Sequence, residues 1–551
     1  MKIFNRIIIS IITAAFFIAG CNKLDRLPET EFSDADFWNT ETDLINAANR
    51  MYQQLDANWI DNRADDAVNQ GGPNSVSNGN ITVPNTSGDW SDRYDEIFTA
   101  NNILEKAERA KVSEAIRNRY YGEARFFRAY AYFKLVQKYG DVPLVLHTLD
   151  ITSPDLLMSR TPRQKVMEAI YADLDSAAAW LPGRAALPAS QYGRVTKSTA
   201  WALKARAALY EGTRAKFRNE PNWQPHLQIA VAAAQKVMGE GHTLFPDYGE
   251  LFLHEGEGPA NKENIFVKIY GVSNTNLLLG HNNSRDLENG RMAPTRNLIR
   301  QYLYTDGLPA FTTNNNPVAS PSPLFVPEGS ESAYNTVLEN RDPRLAYTVF
   351  KAGEQAYKGP WTPTTSLGAR SGFAAKKGFN VEDQTINGAG TVDRILIRYG
   401  EVLLIYAEAT YELADAISDA DLDLSINKLR TRVGFNVKLT NAFVTANNLD
   451  MREEIRRERT VELALEGFRY DDLIRWKTAE TLLPADLLGA KYVEADWPNT
   501  SASNLNLNAD KVIIVEPAST RHFDPARNYL YPVPFNEITL SDGNVTQNPN
   551  W

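Results

Sequence analysis

The side chains that perform most enzymatic chemistry are scattered through this sequence. Its six histidines (His147, His226, His242, His254, His281, His522) form no H-E-x-x-H or other clustered spacing that would hold a metal. No G-x-S-x-G elbow, phosphate-binding G-x-x-x-x-G-K-[ST] loop or G-x-G-x-x-G fingerprint is present. Asp419, Asp421 and Asp423 step by two like the start of a calcium loop. Leu424, however, stands where the turn needs glycine, and Arg430 stands where the bidentate carboxylate belongs. They read instead as a solvated helix start. The pairs Asp65–Asp66 and Asp471–Asp472 are only sequence neighbours, whereas a glycosidase needs two acids facing each other across about 5–10 Å. The expectation is a protein with no catalytic residues, no metal and no cofactor.

What remains is the chemistry of carbohydrate recognition. A sugar ring offers C–H faces that stack on Trp or Tyr, and hydroxyls that need Asp, Asn, Arg or His partners. The irregular stretch 56–66 holds Trp59, Asp61, Arg63 and Asp65; residues 270–291 hold His281, Asn283 and Arg285 beside Tyr270 and Asn282; residues 352–373 hold Tyr357 and Trp361. These are the candidate ligand-binding residues, and each aromatic has the alternative of packing its loop against the body. Trp90, Trp201 and Trp476 lie on helix faces and are assigned to the core.

The amino end sets the compartment. Met1–Arg6 is a short basic segment and Ile7–Ala19 an apolar run too short to span a bilayer, ending in Ile18-Ala19-Gly20-Cys21. This is the pattern of a bacterial lipoprotein signal (residues 1–20), with Cys21, the only cysteine, as the lipidated residue; an ordinary secretory signal is the plainer alternative. Each buried acyl CH₂ contributes about 0.8 kcal/mol, so several chains on one residue anchor stably. The net charge of −10 becomes more negative once Lys2 and Arg6 are removed, and no basic stripe gathers to neutralise phosphates, which argues against nucleic acid.

Helical spacing is clearest over 113–139, where Ile116, Tyr120, Ala124, Phe127, Ala131 and Leu135 share a face and Gly140 ends the run. Further helices read at about 41–55, from Trp90, and at about 162–181, 195–212 and 224–239, several pairing as helical hairpins. Residues 60–89, rich in Asn, Gly and Pro, break every helical rule. From 240 to 393 short runs such as Asn264–Tyr270 read as strands among long loops, and helix returns at Arg398–Ala409 and Ile426–Arg432. The densest stretch of charge is Arg456-Arg-Glu-Arg-Thr-Val-Glu-Leu-Ala-Leu-Glu-Gly-Phe-Arg-Tyr-Asp-Asp-Leu-Ile-Arg-Trp476. Glu458, Glu462 and Glu466 recur every four residues, Gly467 reads as the stop, and a short helix follows with Arg469 and Arg475 available to the glutamates. Such a segment reads first as a solvated helix surface. The alternative is a half-buried Arg/Glu lattice fixing two helices.

That stretch resembles the C-terminal motif of the SusD/RagB family of outer-membrane nutrient-binding lipoproteins. So do Trp90–Leu104, "EARFFRAYAYFKLVQKYGDVPLV", "RMAPTRNLIRQYLYTDG", "ENRDPRLAYTVF", "SGFAAKKGFN" and the final Tyr531–Ile538 and Gln547–Pro549, collinear over most of the chain. The resemblance implies a mainly α fold of tetratricopeptide-like helical hairpins forming a curved scaffold, with a loop-rich, minor-β elaboration in the C-terminal half. It divides the chain into the signal, an N-terminal helical region (21–240) and a C-terminal region (241–551) packed as one body. It also implies a cell-surface protein of a Bacteroidota-type outer membrane. Such a protein binds an oligosaccharide and delivers it to a SusC-like TonB-dependent β-barrel transporter without chemistry. A receptor for peptides or other nutrients, a lipid-anchored hydrolase and a helical adaptor are the alternatives.

Overall fold

The computed structural model describes residues 37–55, 57, 59–271, 279–357, 359–364 and 370–551; Cys21, the signal and the tether lie outside them. The N-terminal half is built from α1 (Glu41–Gln54), α2 (Gly88–Lys106), α3 (Glu114–Tyr139), α4 (Arg163–Trp180), α5 (Lys197–Phe217) and α6 (Trp223–Met238). Starts are set by side chains that satisfy free backbone N–H groups: Thr40 with Asp43 in a capping box at α1, Ser113 at α3 and Thr196 at α5. Gly140, at φ 74°, takes the backbone out of α3. From α2 onward each helix packs on the next, so the spine is a run of helical hairpins. The anticipated face of α3 is buried from Tyr120 to Leu135. Trp90 and Trp476 are buried as expected. Trp201 is only half-buried, with the ammonium groups of Lys197 and Lys236 over its ring at 5.9 and 5.2 Å.

The C-terminal half contributes few strands, all in two-stranded antiparallel pairs among the described residues. β1 (Ala67–Val68) pairs with β3 (Ala293–Pro294), and β5 (Leu487–Lys491) with β6 (Val512–Glu516). β2 (Asn264–Lys268), two residues shorter than the spacing suggested, pairs with β4 (Arg394–Arg398), running Asn264↔Arg398 to Lys268↔Arg394. The short α7 (Asn283–Glu288) lies in the loop region. It is followed by α8 (Tyr399–Ala414), α9 (Ile426–Arg432), α10 (Met451–Glu462) and α11 (Arg469–Trp476). α8 packs on α6 and α10, and α11 on α5, so one apolar core runs from Leu44 to Val545 through both halves. The architecture is a helical-hairpin scaffold with a loop-rich, minor-β elaboration. Asp419–Leu424 forms a short helix capped by Ser418 rather than an ion-binding loop.

The charge-dense stretch departs from its first reading. It is buried, because its arginines and glutamates meet partners from distant segments. Glu462, fully buried, receives Arg398 at 2.7 Å, Arg432 at 2.5 Å and Arg344 at 3.0 Å. Arg344 also meets Glu458 at 2.7 Å, and Arg430 meets it at 2.9 Å. Arg398 forks onto Glu466 with both contacts at 2.8 Å, and Glu263 completes the group. Helix α10 stops at Glu462, short of Gly467, because side chains take over its last carbonyls. Arg398 and the Tyr248 hydroxyl donate to the Glu462 carbonyl (both 2.8 Å), and Lys377 donates to that of Ala464 at 3.0 Å. Arg469 and Arg475 do not meet these glutamates: Arg469 forks onto Asp65, and Arg475 onto Glu408 and Asp472.

Burial alone would raise these carboxyls, but Arg432, Arg398 and Arg344 reverse it at Glu462 and hold it far below the usual range. Arg398 and Lys377 do the same at Glu466, down to about 2. With folded values below an unfolded value of about 4.3, the contribution is present above that pH and lost as pH falls toward 2. Melting temperature is therefore expected to fall steeply between pH about 4.5 and 2. Glu462→Gln, which leaves three guanidinium groups short of a partner, costs about 3–5 kcal/mol in urea unfolding at neutral pH and flattens that acid limb.

Candidate functional site

The described parts of loops 55–60 and 270–283 meet at a pocket of about 280 Å³, lined by Leu55, Ala57, Trp59, Tyr270, His281 and α7 residues, and the segment 376–394 packs behind His281 and Trp59. α7 contributes Asn283 and Asp286, while Asn282 precedes the helix. The chain is fixed here by a reciprocal backbone pair: His281 and Gly390 exchange N–H···O bonds, both 2.9 Å. A Cβ at Gly390 would sit 2.6 Å from His281 Nδ1, so only glycine permits this approach. His281 donates from Nε2 to the Val392 carbonyl at 2.9 Å, and its Nδ1 accepts the Asn283 N–H at 3.1 Å. A carbonyl can only accept, so the ring proton is on Nε2; burial holds the imidazole neutral by lowering its pKa.

The aromatic corner is not an open stacking shelf. Trp59 is 8% exposed, with the Arg394 guanidinium over its ring at 4.4 Å and His281 tilted against it at 5.6 Å. Tyr270 meets the His281 ring edge-on at 4.7 Å. Its backbone N–H donates to Asp393 at 3.0 Å, a carboxyl that burial lifts to about 7. Two buried polar atoms here have no partner among the described residues: the donor Trp59 Nε1 and the acceptor Asn283 Oδ1. The Asn283 amide nitrogen is spent on the Gly378 carbonyl at 2.9 Å. Asp286, raised by burial against the pull of Arg291 and His281, completes the polar side. A neutral hydroxyl, which both donates and accepts, fits this arrangement.

The other candidates lie elsewhere. Asp61 and Arg63 fork onto each other at 2.7 and 2.9 Å and line a separate polar cleft of about 580 Å³, which shares Ala57 with the pocket. Burial raises the Asp61 carboxyl, but Arg63 outweighs it and leaves the net shift downward. Asp65 is interior, its two oxygens bound to Arg469 at 2.7 and 2.9 Å. Arg285 donates to the Gln384 carbonyl at 3.0 Å. Tyr357 and Trp361 pack into a second apolar core; the Tyr357 hydroxyl donates to Ala375 at 3.0 Å and the Trp361 N–H to Tyr334 at 3.3 Å. Of the nine candidates, the structure gathers Trp59, His281 and Asn283. Asp286, Gly378, Gly390 and Arg394 were missed. Asp286 follows Asn282 by one helical turn, a spacing that marks it; the glycines and Arg394 carry no local signal.

A family model described as the SusD family matches residues 262–551, and one described as "Starch-binding associating with outer membrane" matches residues 26–209. The chain belongs to the SusD family. A SusD-like protein of Formosa agariphila is 25% identical and covers 98% of this chain and 99% of its own. A SusD-like carbohydrate-binding protein of Bacteroides fragilis superposes with a TM-score of 0.75 at 26% identity, over 92% of this chain and 99% of that one. A laminarin-binding SusD-like protein shares the fold at a TM-score of 0.59 and 22% identity, over 93% and 100%.

Gly390→Ala is expected to push His281 off the Val392 carbonyl and cost about 1–3 kcal/mol, a typical overpacking penalty. Chemical unfolding measures the cost, and the His281 ring resonances report the displacement; unchanged resonances contradict it.

Proposed function

We propose that this protein is an outer-membrane lipoprotein, anchored through Cys21, that captures an oligosaccharide at the cell surface and passes it unaltered to a TonB-dependent β-barrel transporter. One observation carries the ligand assignment. The Trp59–Tyr270–His281 pocket combines aromatic rings with a donor and an acceptor that no group among the described residues satisfies. An unpaired buried donor or acceptor is costly, so a ligand hydroxyl that pairs with both gains what the empty site lacks. The carbohydrate-binding and laminarin-binding relatives support the ligand class, and the family description supports the membrane. The barrel partnership follows from the family resemblance and is tested by whether a large β-barrel co-purifies with the tagged protein.

Affinity electrophoresis against a panel of neutral and acidic polysaccharides identifies the ligand. Trp59→Phe keeps a ring under Arg394 but removes the N–H, and is expected to weaken binding by about 0.5–1.5 kcal/mol, the worth of one hydrogen bond. Equal retardation of Trp59→Phe and the parent in every gel argues against this site. Cys21→Ser is expected to move the protein from the membrane fraction to the soluble one. A variant that stays membrane-bound removes the anchor.

A further inference from the structure

Strand β2 borders a second pocket, of about 240 Å³, that the reading above does not use. Ile265 and Val267, which share one face of the strand, and Leu187 supply its apolar wall, while Pro188 and Ala189 form an exposed rim. Two buried polar residues complete it. His242 is 5% exposed and its ring stacks on Tyr399 at 6.0 Å. Its Nδ1 lies 2.8 Å from the Lys262 carbonyl, which can only accept, so Nδ1 carries the proton and Nε2 is a bare lone pair. Burial, with Arg184 nearby, keeps this ring neutral by lowering its pKa. Asn264 is 7% exposed, and its amide nitrogen donates to the Gly256 carbonyl at 2.9 Å and the Tyr192 hydroxyl at 3.0 Å. The carbonyl fixes the amide orientation, so Oδ1 is the other free end. Neither His242 Nε2 nor Asn264 Oδ1 has a partner among the described residues.

The chemistry of the missing partner is constrained. Both atoms accept, so a carboxylate or sulfate finds no donor in them, and the two guanidinium groups that could attract it are engaged, Arg184 with the Pro259 and Asn261 carbonyls and Arg194 with Glu123 and Asn49. Arg184 and Arg194 line the same pocket, so a cation is repelled. A neutral group with several O–H donors meets both conditions, and a ring with C–H faces suits Ile265, Val267 and Leu187. We infer that this pocket is a second carbohydrate subsite, holding one neutral sugar residue through His242 Nε2 and Asn264 Oδ1. It rests on the carbohydrate reading given above, and lies near the first pocket: Val267 and Tyr270 are three residues apart, about 10 Å of extended chain.

The test uses the full mature chain labelled with ¹⁵N-histidine, with the resonances of its six histidines assigned. It is titrated separately with D-glucose, D-galactose, D-mannose, D-xylose and L-rhamnose. With at least one of them, the His242 Nε2 resonance is expected to move saturably, as an acceptor gaining a donor. Leu187→Phe, which fills the pocket from its loop side and leaves both acceptors intact, is expected to abolish that movement. A His242 Nε2 that none of the five sugars moves overturns the inference. So does a resonance already at the hydrogen-bonded position without sugar, the mark of a permanent water, and so does a shift that survives Leu187→Phe. If His242 is silent while polysaccharide retardation still depends on Trp59, only this second subsite falls. If His242 responds while Trp59→Phe changes no retardation, the first pocket falls and the second stands.

Discussion

Everything in this molecule hangs on a group of ions taken out of water. Glu458, Glu462, Glu466 and Glu263 meet Arg344, Arg398, Arg430, Arg432 and Lys377 with almost no solvent access. Desolvating so many charges is expensive, and apolar residues of similar volume often stabilise as well or better. The lattice adds direction instead. Each guanidinium has a fixed fork, so strand β4, helices α9 and α10 and the segments carrying Arg344 and Lys377 join in one geometry.

That geometry reaches the candidate pocket through β4. Arg398 sits at the heart of the lattice, and Arg394, four residues earlier in the same strand, covers the ring of Trp59. The pairing of β4 with β2 is irregular, so what links the two side chains is not strand alternation but Glu466, whose carboxylate takes Arg398. Arg394 also donates to the Glu466 carbonyl at 3.2 Å, a second tie to the same centre. The pocket therefore has one wall set by rigid ion pairing and the others set by loops. A preorganised wall reduces the ordering cost that ligand capture must offset.

Much of the scaffold was legible in the sequence because periodicity is local information. The four- and three-residue steps through α3 placed the helix and its buried face, and Gly140 marked its end. The burial of the Arg/Glu stretch was not legible. Glu458, Glu462 and Glu466 show helical spacing whether they face water or five cations from residues 344–432, and only tertiary structure separates the two. The same limit governs the pocket. Composition pointed to Trp59, His281 and Asn283 as residues with suitable chemistry, but their meeting across more than two hundred residues is a property of the fold. Composition misled at Trp361 and Tyr357, where an aromatic in a Gly/Pro-rich loop serves as that loop's own core.

The paired backbone bonds between His281 and Gly390 act as a staple between two segments far apart in sequence. Chain on the far side of a staple can gain or lose residues while the stapled ends keep their register, because closing a longer loop adds only slowly to the entropic cost. Variation in length and composition can thus accumulate in the exposed turn 385–388 without shifting the imidazole or the Val392 carbonyl it binds, while buried Asp383, which accepts the Thr391 and Val392 N–H groups, stays in place. A scaffold of this kind can change what its surface presents by editing that outer turn, while the anchoring rung stays as it is.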